Sequence, residues 1–179
     1  MSKPFLDLGD GIELRSWSVR DAPEIFALVD ANREHLRAWL PWVDRTAGPA
    51  QIAEFIEMVR RRDHDREGNG IYVGGALVGS AGLSWSMEGV EGEIGYWLAA
   101  DAQGQGLITR ATRALTTYGF GEIGLHRVTL KAAVENTRSR AVAERLGFVQ
   151  EGVLREAGMT GLGRVDLVLY ALLVHEWKL

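Results

Sequence analysis

From His126 to Ala133 apolar and polar residues alternate without a break, Val128, Leu130 and Ala132 opposing Arg127, Thr129 and Lys131. A period of two predicts a strand with one buried face. Ile12 and Leu14, opposing Glu13 and Arg15, predict another over Gly11–Ser18. A different period follows. Asp21 reads as an acidic N-cap with Glu24 three residues on, and Ile25, Leu28 and Val29 then recur at helical spacing. Asn32 to Asp44 holds a short helix that must stop before Pro41, because the residue preceding proline disfavours helical backbone. Pro49 opens a third helix with Ile52, Phe55, Ile56 and Val59 on one face. It runs through Arg60–Arg62 into the charged stretch Asp63–Glu67, read as a solvated helix end, until Gly68-Asn69-Gly70 breaks it.

Strands over Ile71–Val73 and Ala76–Ser86 flank Gly74-Gly75, which predicts a hairpin, and Gly79 and Gly82 mark a bulge or close packing. Gly89–Gly92 turns the chain into a strand over Glu91–Leu98. A helix from Leu107 to about Phe120 puts Leu107, Ala111, Ala114, Leu115 and Tyr118 on one face, and Gly119, Gly121 and Gly124 end it. Asn136 caps a helix running to Leu146, with Gly147 as its C-terminal glycine. Phe148–Val153 and Val165–Ala171 complete the strands. Strands alternating with helices after a meander predict an α/β (α+β) domain spanning 1–179, with a mixed central sheet of about six or seven strands and helices on both faces.

Composition narrows the function classes. A length of 179 residues, 46% hydrophobic and 25% charged, suits one soluble domain. The absence of cysteine excludes disulfides, Cys–zinc sites and a cysteinyl acyl-enzyme. With no apolar signal core at the N-terminus, a cytoplasmic protein is expected. No apolar run is long enough to span a membrane, and a net charge of −4 argues against nucleic-acid binding. His35, His64, His126 and His175 show no metal-ligand spacing and are read as structural. Several of the six tryptophans are candidates to line a binding surface.

The candidate chemistry sits in Gln103-Gly104-Gln105-Gly106-Leu107-Ile108, between a predicted strand and a predicted helix. Glycines here let backbone N–H groups approach a ligand, and those at a helix start have no partner within the helix. Such a turn suits phosphate or pyrophosphate. It lacks the lysine of a nucleotide P-loop, and Thr109 stands where a dinucleotide fingerprint needs its third glycine. On spacing alone, an anion site and a merely flexible connection both remain open.

The turn resembles the Q/R-x-x-G-x-G/A loop of the GNAT superfamily of N-acetyltransferases, which holds the pyrophosphate of acetyl-CoA. Gln103 and Gly106 match, while Ile108 replaces the preferred Gly or Ala. GEIGYWL (92–98), VENTRSRAVAERLGF (134–148), NREHLRAWLPWVD (32–44) and LREAGMTGLGRVDLVLYALL (154–173) extend the likeness from about Ile12 to Trp177, toward the ribosomal-protein N-terminal (serine/alanine) acetyltransferase branch. The resemblance implies the GNAT fold, acetyl-CoA as cosubstrate without a metal, and a primary amine as acceptor. It implies that acetyl-CoA meets Trp97, Leu98, Gln103 to Ile108, Asn136 and Ser139.

Direct acetyl transfer needs a proton acceptor for the amine, a donor for the thioester oxygen and a donor for the departing thiolate. Glu93 lies ten residues before Gln103, the offset of the catalytic glutamate in histone-type members, and is the candidate base. In the ribosomal branch a glutamate can instead lie near the position of Gly158; the nearest carboxylate here is Glu156, and bulk water is a third proton acceptor. Many members place a tyrosine where this chain has Ala143. The ribosomal branch has Asn-x-x-Ser, matched by Asn136 and Ser139, which implies that Ser139 serves the CoA sulfur and Asn136 the pantetheine arm. Trp39 and Trp42 are expected over the acceptor or in the core. The best acceptor is a protein N-terminal α-amine. A small-molecule amine (amino acid, polyamine or antibiotic) is the alternative, and a non-catalytic acyl-CoA-binding module a third reading. A homodimer is left open.

Overall fold

The computed structural model describes residues 5–61, 66–85, 90–161 and 163–178. The strands are β1 (Leu6–Asp7), β2 (Ile12–Ser16), β3 (Arg66–Val73), β4 (Ala76–Trp85), β5 (Glu91–Leu98), β6 (Arg127–Ala133), β7 (Val149–Thr160) and β8 (Gly163–Leu173). The helices are α1 (Ala22–Ala31), α2 (Arg33–Arg37), α3 (Pro49–Arg61), α4 (Leu107–Tyr118) and α5 (Thr137–Arg145). One mixed sheet of eight strands runs β1-β2-β3-β4-β5-β6-β8-β7. All neighbours pair antiparallel except β5 and β6, which are parallel.

The sheet separates two apolar layers, so helices cover both faces. On one face Leu14, Ile71, Leu83, Ile94, Leu98, Val128 and Leu130 pack with Leu107, Ala111 and Leu115 of α4 and with Val142 and Ala143 of α5. On the other, Tyr72, Leu77 and Trp97 meet Ile25 and Val29 of α1, Leu36 of α2, and Ile52 and Ile56 of α3. Burial of a large aliphatic side chain contributes about 1.5–3 kcal/mol, so these two layers are the main source of stability. Among the described residues no helix is long and apolar enough to cross a membrane.

Several sequence expectations are corrected. Gly68-Asn69-Gly70 does not end helix α3, which stops by Arg61; it lies inside β3, and Asn69 is fully buried with its Oδ1 accepting from Ser16 Oγ at 3.1 Å. Pairing with β2 and β4 overrides the poor strand propensity of these residues. Residues 62–65 of the charged stretch and 86–89, including Gly89, fall outside the described residues, while Gly92 belongs to β5 rather than to a turn. Asp21 precedes α1 but does not cap it: its Oδ2 accepts from Ser18 N at 2.7 Å, facing back along the chain. Phe55 is 43% exposed and leans edge-on against Trp17. The buried face of α4 holds Thr112 and Thr116 in place of Ala114 and Tyr118. Gly119 and Gly121 do not stop that helix; it widens into a π-turn over Gly119–Ile123 and ends at Gly124. The last two strands are longer than expected, and β1 is an eighth strand.

Gly79 is a place of close packing. A Cβ there would lie 2.4 Å from the carbonyl oxygen of Trp97, and the β3–β4 register shifts beside it, between Ile71 and Tyr72.

Candidate active site

The site begins where two parallel strands part. β5 and β6 pair only from Glu91↔Arg127 to Ile94↔Leu130, although β5 continues to Leu98 and β6 to Ala133. A wedge opens between their C-terminal ends. Backbone groups alternate in direction along a strand. Ala99 N donates to Val78 O of β4, so the backbone of Trp97 turns toward β4, and that of Tyr96 and Leu98 toward the wedge.

The Gln103–Gly106 turn closes one end of the wedge. Gly104 and Gly106 have φ of 77° and 74°, where a Cβ is strained, and a Cβ at either would meet no protein atom within 4 Å. Gly106 is the N-cap of α4 and supplies no side chain to its first-turn N–H groups, so they are available to an anion. Leu107 is buried and Ile108 packs against the core, so these two residues offer the site backbone rather than side chain. Gln105 Nε2 donates to Asp101 O at 3.4 Å. Gln103 has two partners from distant elements. Its Oε1 accepts from Arg138 Nη1 of α5, and its Nε2 lies 2.8 Å from His35 Nε2 of α2. With the amide oriented by Arg138, Gln103 Nε2 is the donor in that second contact. His35, grouped in the sequence with the structural histidines, therefore touches the turn.

Asn136 and Ser139 stand at the start of α5. Asn136 Oδ1 accepts from Ser139 N at 3.1 Å, an N-cap bond that satisfies one orphan donor. Tyr96 of β5 reaches across the wedge. Its Oη lies 2.9 Å from Ser139 Oγ and donates to Ser139 O at 3.2 Å. Burial pushes the Tyr96 phenol up to about 12, partly offset by the Ser139 contact. Sequence reading missed Tyr96; the signal was a polar-tipped residue on the buried face of a strand, beside Ile94 and Leu98.

Glu93 leaves β5 on the other face. Its Oε2 accepts from Lys131 Nζ of β6 at 2.7 Å, and the two side chains are 44% and 34% exposed. Trp97 shares that face and meets Trp42 edge-on, with ring centroids 6.3 Å apart. Trp42 also packs against the α1–α3 layer, whereas Trp39 is half-buried and its backbone N–H donates to Leu36 O at 3.0 Å. The segment carrying both is tied down around α2: Ala100 N donates to Asn32 Oδ1 at 2.9 Å, and Gly161 N, at the β7–β8 tip, donates to Arg37 O at 3.0 Å. Thus the Gln103–Gly106 turn, α2 and the β7–β8 hairpin form one frame. Glu156 has φ of 50°, is 72% exposed and lies 3.9 Å from Arg164 Nη1. A side chain at Gly158 would collide with Leu167 Cδ2 at 2.6 Å. A concavity of about 460 Å³ between β1 and α4 is lined by Leu6, Arg110, Arg113 and Tyr118 and lies apart from the wedge.

The sequence model of the acetyltransferase (GNAT) domain matches residues 12–149. The chain belongs to the GNAT acetyltransferase family. A putative ribosomal N-acetyltransferase, YdaF of Bacillus subtilis (strain 168), is 36% identical over 176 residues, covering 96% of each protein. A crystal structure of a probable acetyltransferase superposes with a TM-score of 0.90 at 35% identity, covering 96% of this chain and 98% of that one. The microcin C7 self-immunity acetyltransferase MccE, solved with acetyl-CoA and AMP, superposes with a TM-score of 0.88 at 25% identity over 96% of this chain and 97% of that one.

This GNAT enzyme is an N-acetyltransferase with acetyl-CoA as cosubstrate. Its residues fit that cosubstrate. The two left-handed glycines and the uncapped α4 start suit a pyrophosphate, and the unpaired β5 edge offers N–H and C=O groups to an amide-bearing arm. Acetyl-CoA supplies the activated thioester. Among the described residues no group of three or more His, Asp or Glu is placed to hold a metal ion.

Proposed function

We propose that this N-acetyltransferase acetylates the α-amine at the N-terminus of a protein, such as a ribosomal protein. The observation that carries the reading is the nearly full-length kinship with a relative named a putative ribosomal N-acetyltransferase. The aromatic edge made by Trp42 and Trp97, on the same face as Glu93, is a suitable wall for a peptide end. In this reading Glu93 accepts the amine proton, directly or through water. Ser139 donates a hydrogen bond to the departing thiolate, and Asn136 holds the start of α5 in place.

The test is a set of short peptides with free N-termini against blocked copies. Free peptides are expected to be acetylated at the α-amine, and blocked copies to remain unmodified. Faster turnover of a free polyamine or aminoglycoside would overturn the peptide reading. A small-molecule acceptor is the second reading, favoured by the likeness to MccE, whose structure holds AMP beside acetyl-CoA.

A further inference from the structure

Tyr96 and Ser139 are 43 positions apart and approach from opposite sides of the wedge. The phenol has one proton and two acceptors within reach, Ser139 Oγ at 2.9 Å and Ser139 O at 3.2 Å. A carbonyl can only accept, but a serine hydroxyl can both accept and donate. Two proton arrangements therefore share one set of heavy atoms. In the first, Tyr96 donates to the carbonyl and Ser139 donates to Tyr96 Oη. In the second, Tyr96 donates to Ser139 Oγ, and the serine proton must turn elsewhere. Rotation about two C–O bonds interconverts them.

We propose that Tyr96 is the positioning residue of the acetyl-transfer step, turning the Ser139 proton toward the departing sulfur by donating its own to Ser139 Oγ. The proposal rests on the reading of Ser139 as thiolate donor. Chained hydroxyls polarise one another, so a serine that accepts from Tyr96 is a stronger donor than an isolated one. With its phenol pushed up to about 12, Tyr96 keeps its proton at neutral pH and remains a donor throughout. The serine is held for this work at its backbone N–H, which donates to Asn136 Oδ1.

The step balances without a covalent enzyme intermediate. The bond from amine nitrogen to acetyl carbon forms, and the carbon–sulfur bond breaks with its electron pair on sulfur. The amine proton passes to Glu93 or water. The sulfur leaves as a thiolate hydrogen-bonded by Ser139 and takes its proton from solvent.

The experiment measures kcat, acetyl-CoA KM and calorimetric affinity for Tyr96→Phe, Ser139→Ala and the double variant. Phenylalanine keeps the ring and its packing, and thermal melting checks the fold. Ser139→Ala is expected to lower kcat about tenfold or more, and Tyr96→Phe about fivefold, with acetyl-CoA KM changed by less than about twofold. The double variant should be no slower than Ser139→Ala alone, because Tyr96 acts only through Ser139. A fully active Tyr96→Phe beside an impaired Ser139→Ala overturns this proposal alone, as do losses that multiply in the double variant. A fully active Ser139→Ala overturns the underlying reading of the serine as well.

Discussion

Glu93 and Tyr96 leave β5 three residues apart and on opposite faces. Glu93 sits among charge and water, half-exposed and paired with Lys131. Tyr96 sits in the apolar layer beneath α4 and α5, bonded to Ser139. In the proposed mechanism the difference separates two kinds of proton work. An exposed carboxylate can exchange a proton with solvent, and the Lys131 ammonium beside Glu93 must move or be displaced for the carboxylate to reach an amine. A dry face suits donating a proton to a developing thiolate, because a hydroxyl pair in low dielectric acts more strongly and stays protonated. The Glu93–Lys131 pair is too exposed to matter much for stability, where such pairs contribute at most about 1 kcal/mol. In the proposed mechanism one strand carries both residues, one on each face.

The strongest way to break this comparison is Glu93→Gln. It keeps size and removes basicity, and general-base catalysis is worth about 10²–10⁴ in rate. A kcat loss of roughly a hundredfold is expected, with acetyl-CoA affinity nearly unchanged. Full activity would leave the wet face without a catalytic role.

Alkaline unfolding probes the dry face. The phenol of Tyr96 stands near 12 in the fold against an ordinary 10. Its protonated form is the one the fold favours, so its contribution is intact below pH 10 and is lost as pH rises toward 12. Urea unfolding at pH 9 and pH 12 should show wild type losing about 2 kcal/mol more than Tyr96→Phe. Tyr72, also raised to about 12 by burial, adds an equal loss to both proteins and cancels. Identical losses would mean that Tyr96 is not held in a dry setting.

Gly106→Val tests the turn that both faces serve. The side chain would be forced to a φ of 74° and would project into open space, where the proposed phosphate site lies. Acetyl-CoA affinity should fall at least about tenfold, near 1.4 kcal/mol, by calorimetry on the folded variant. Unchanged affinity would remove the turn from the site. The smallest effect is expected at Glu156→Gln. That side chain faces solvent near Arg164, and kcat should change less than about twofold. A loss like that of Glu93→Gln would move the base to the β7–β8 side.

Much of the fold was legible because its signals are local. The alternation in β6, Pro49 at the start of α3, and Asn136 with Gly147 at the ends of α5 act within a few residues and lie where expected. The misses fall where distant pairing overrides local preference. Gly68-Asn69-Gly70 resembles a break and is a strand, because β2 and β4 satisfy its backbone from both sides. The glycines after α4 looked like a stop and became a π-turn. Within the site, the Gln103–Gly106 turn and the Asn136–Ser139 cap could be read from adjacent residues, whereas Tyr96 and His35 could not. Their partners lie 43 and 68 positions away.

By itself the sequence determined the strand and helix periods, the glycine-rich turn and the family motif, since each depends on residues close together along the chain. The tertiary structure alone decided where β5 and β6 part, which face of β5 is dry, and which hydroxyl meets Ser139. Those follow from the register between strands joined by a whole helix. A residue's own chemistry cannot specify the partner that a long crossover brings beside it.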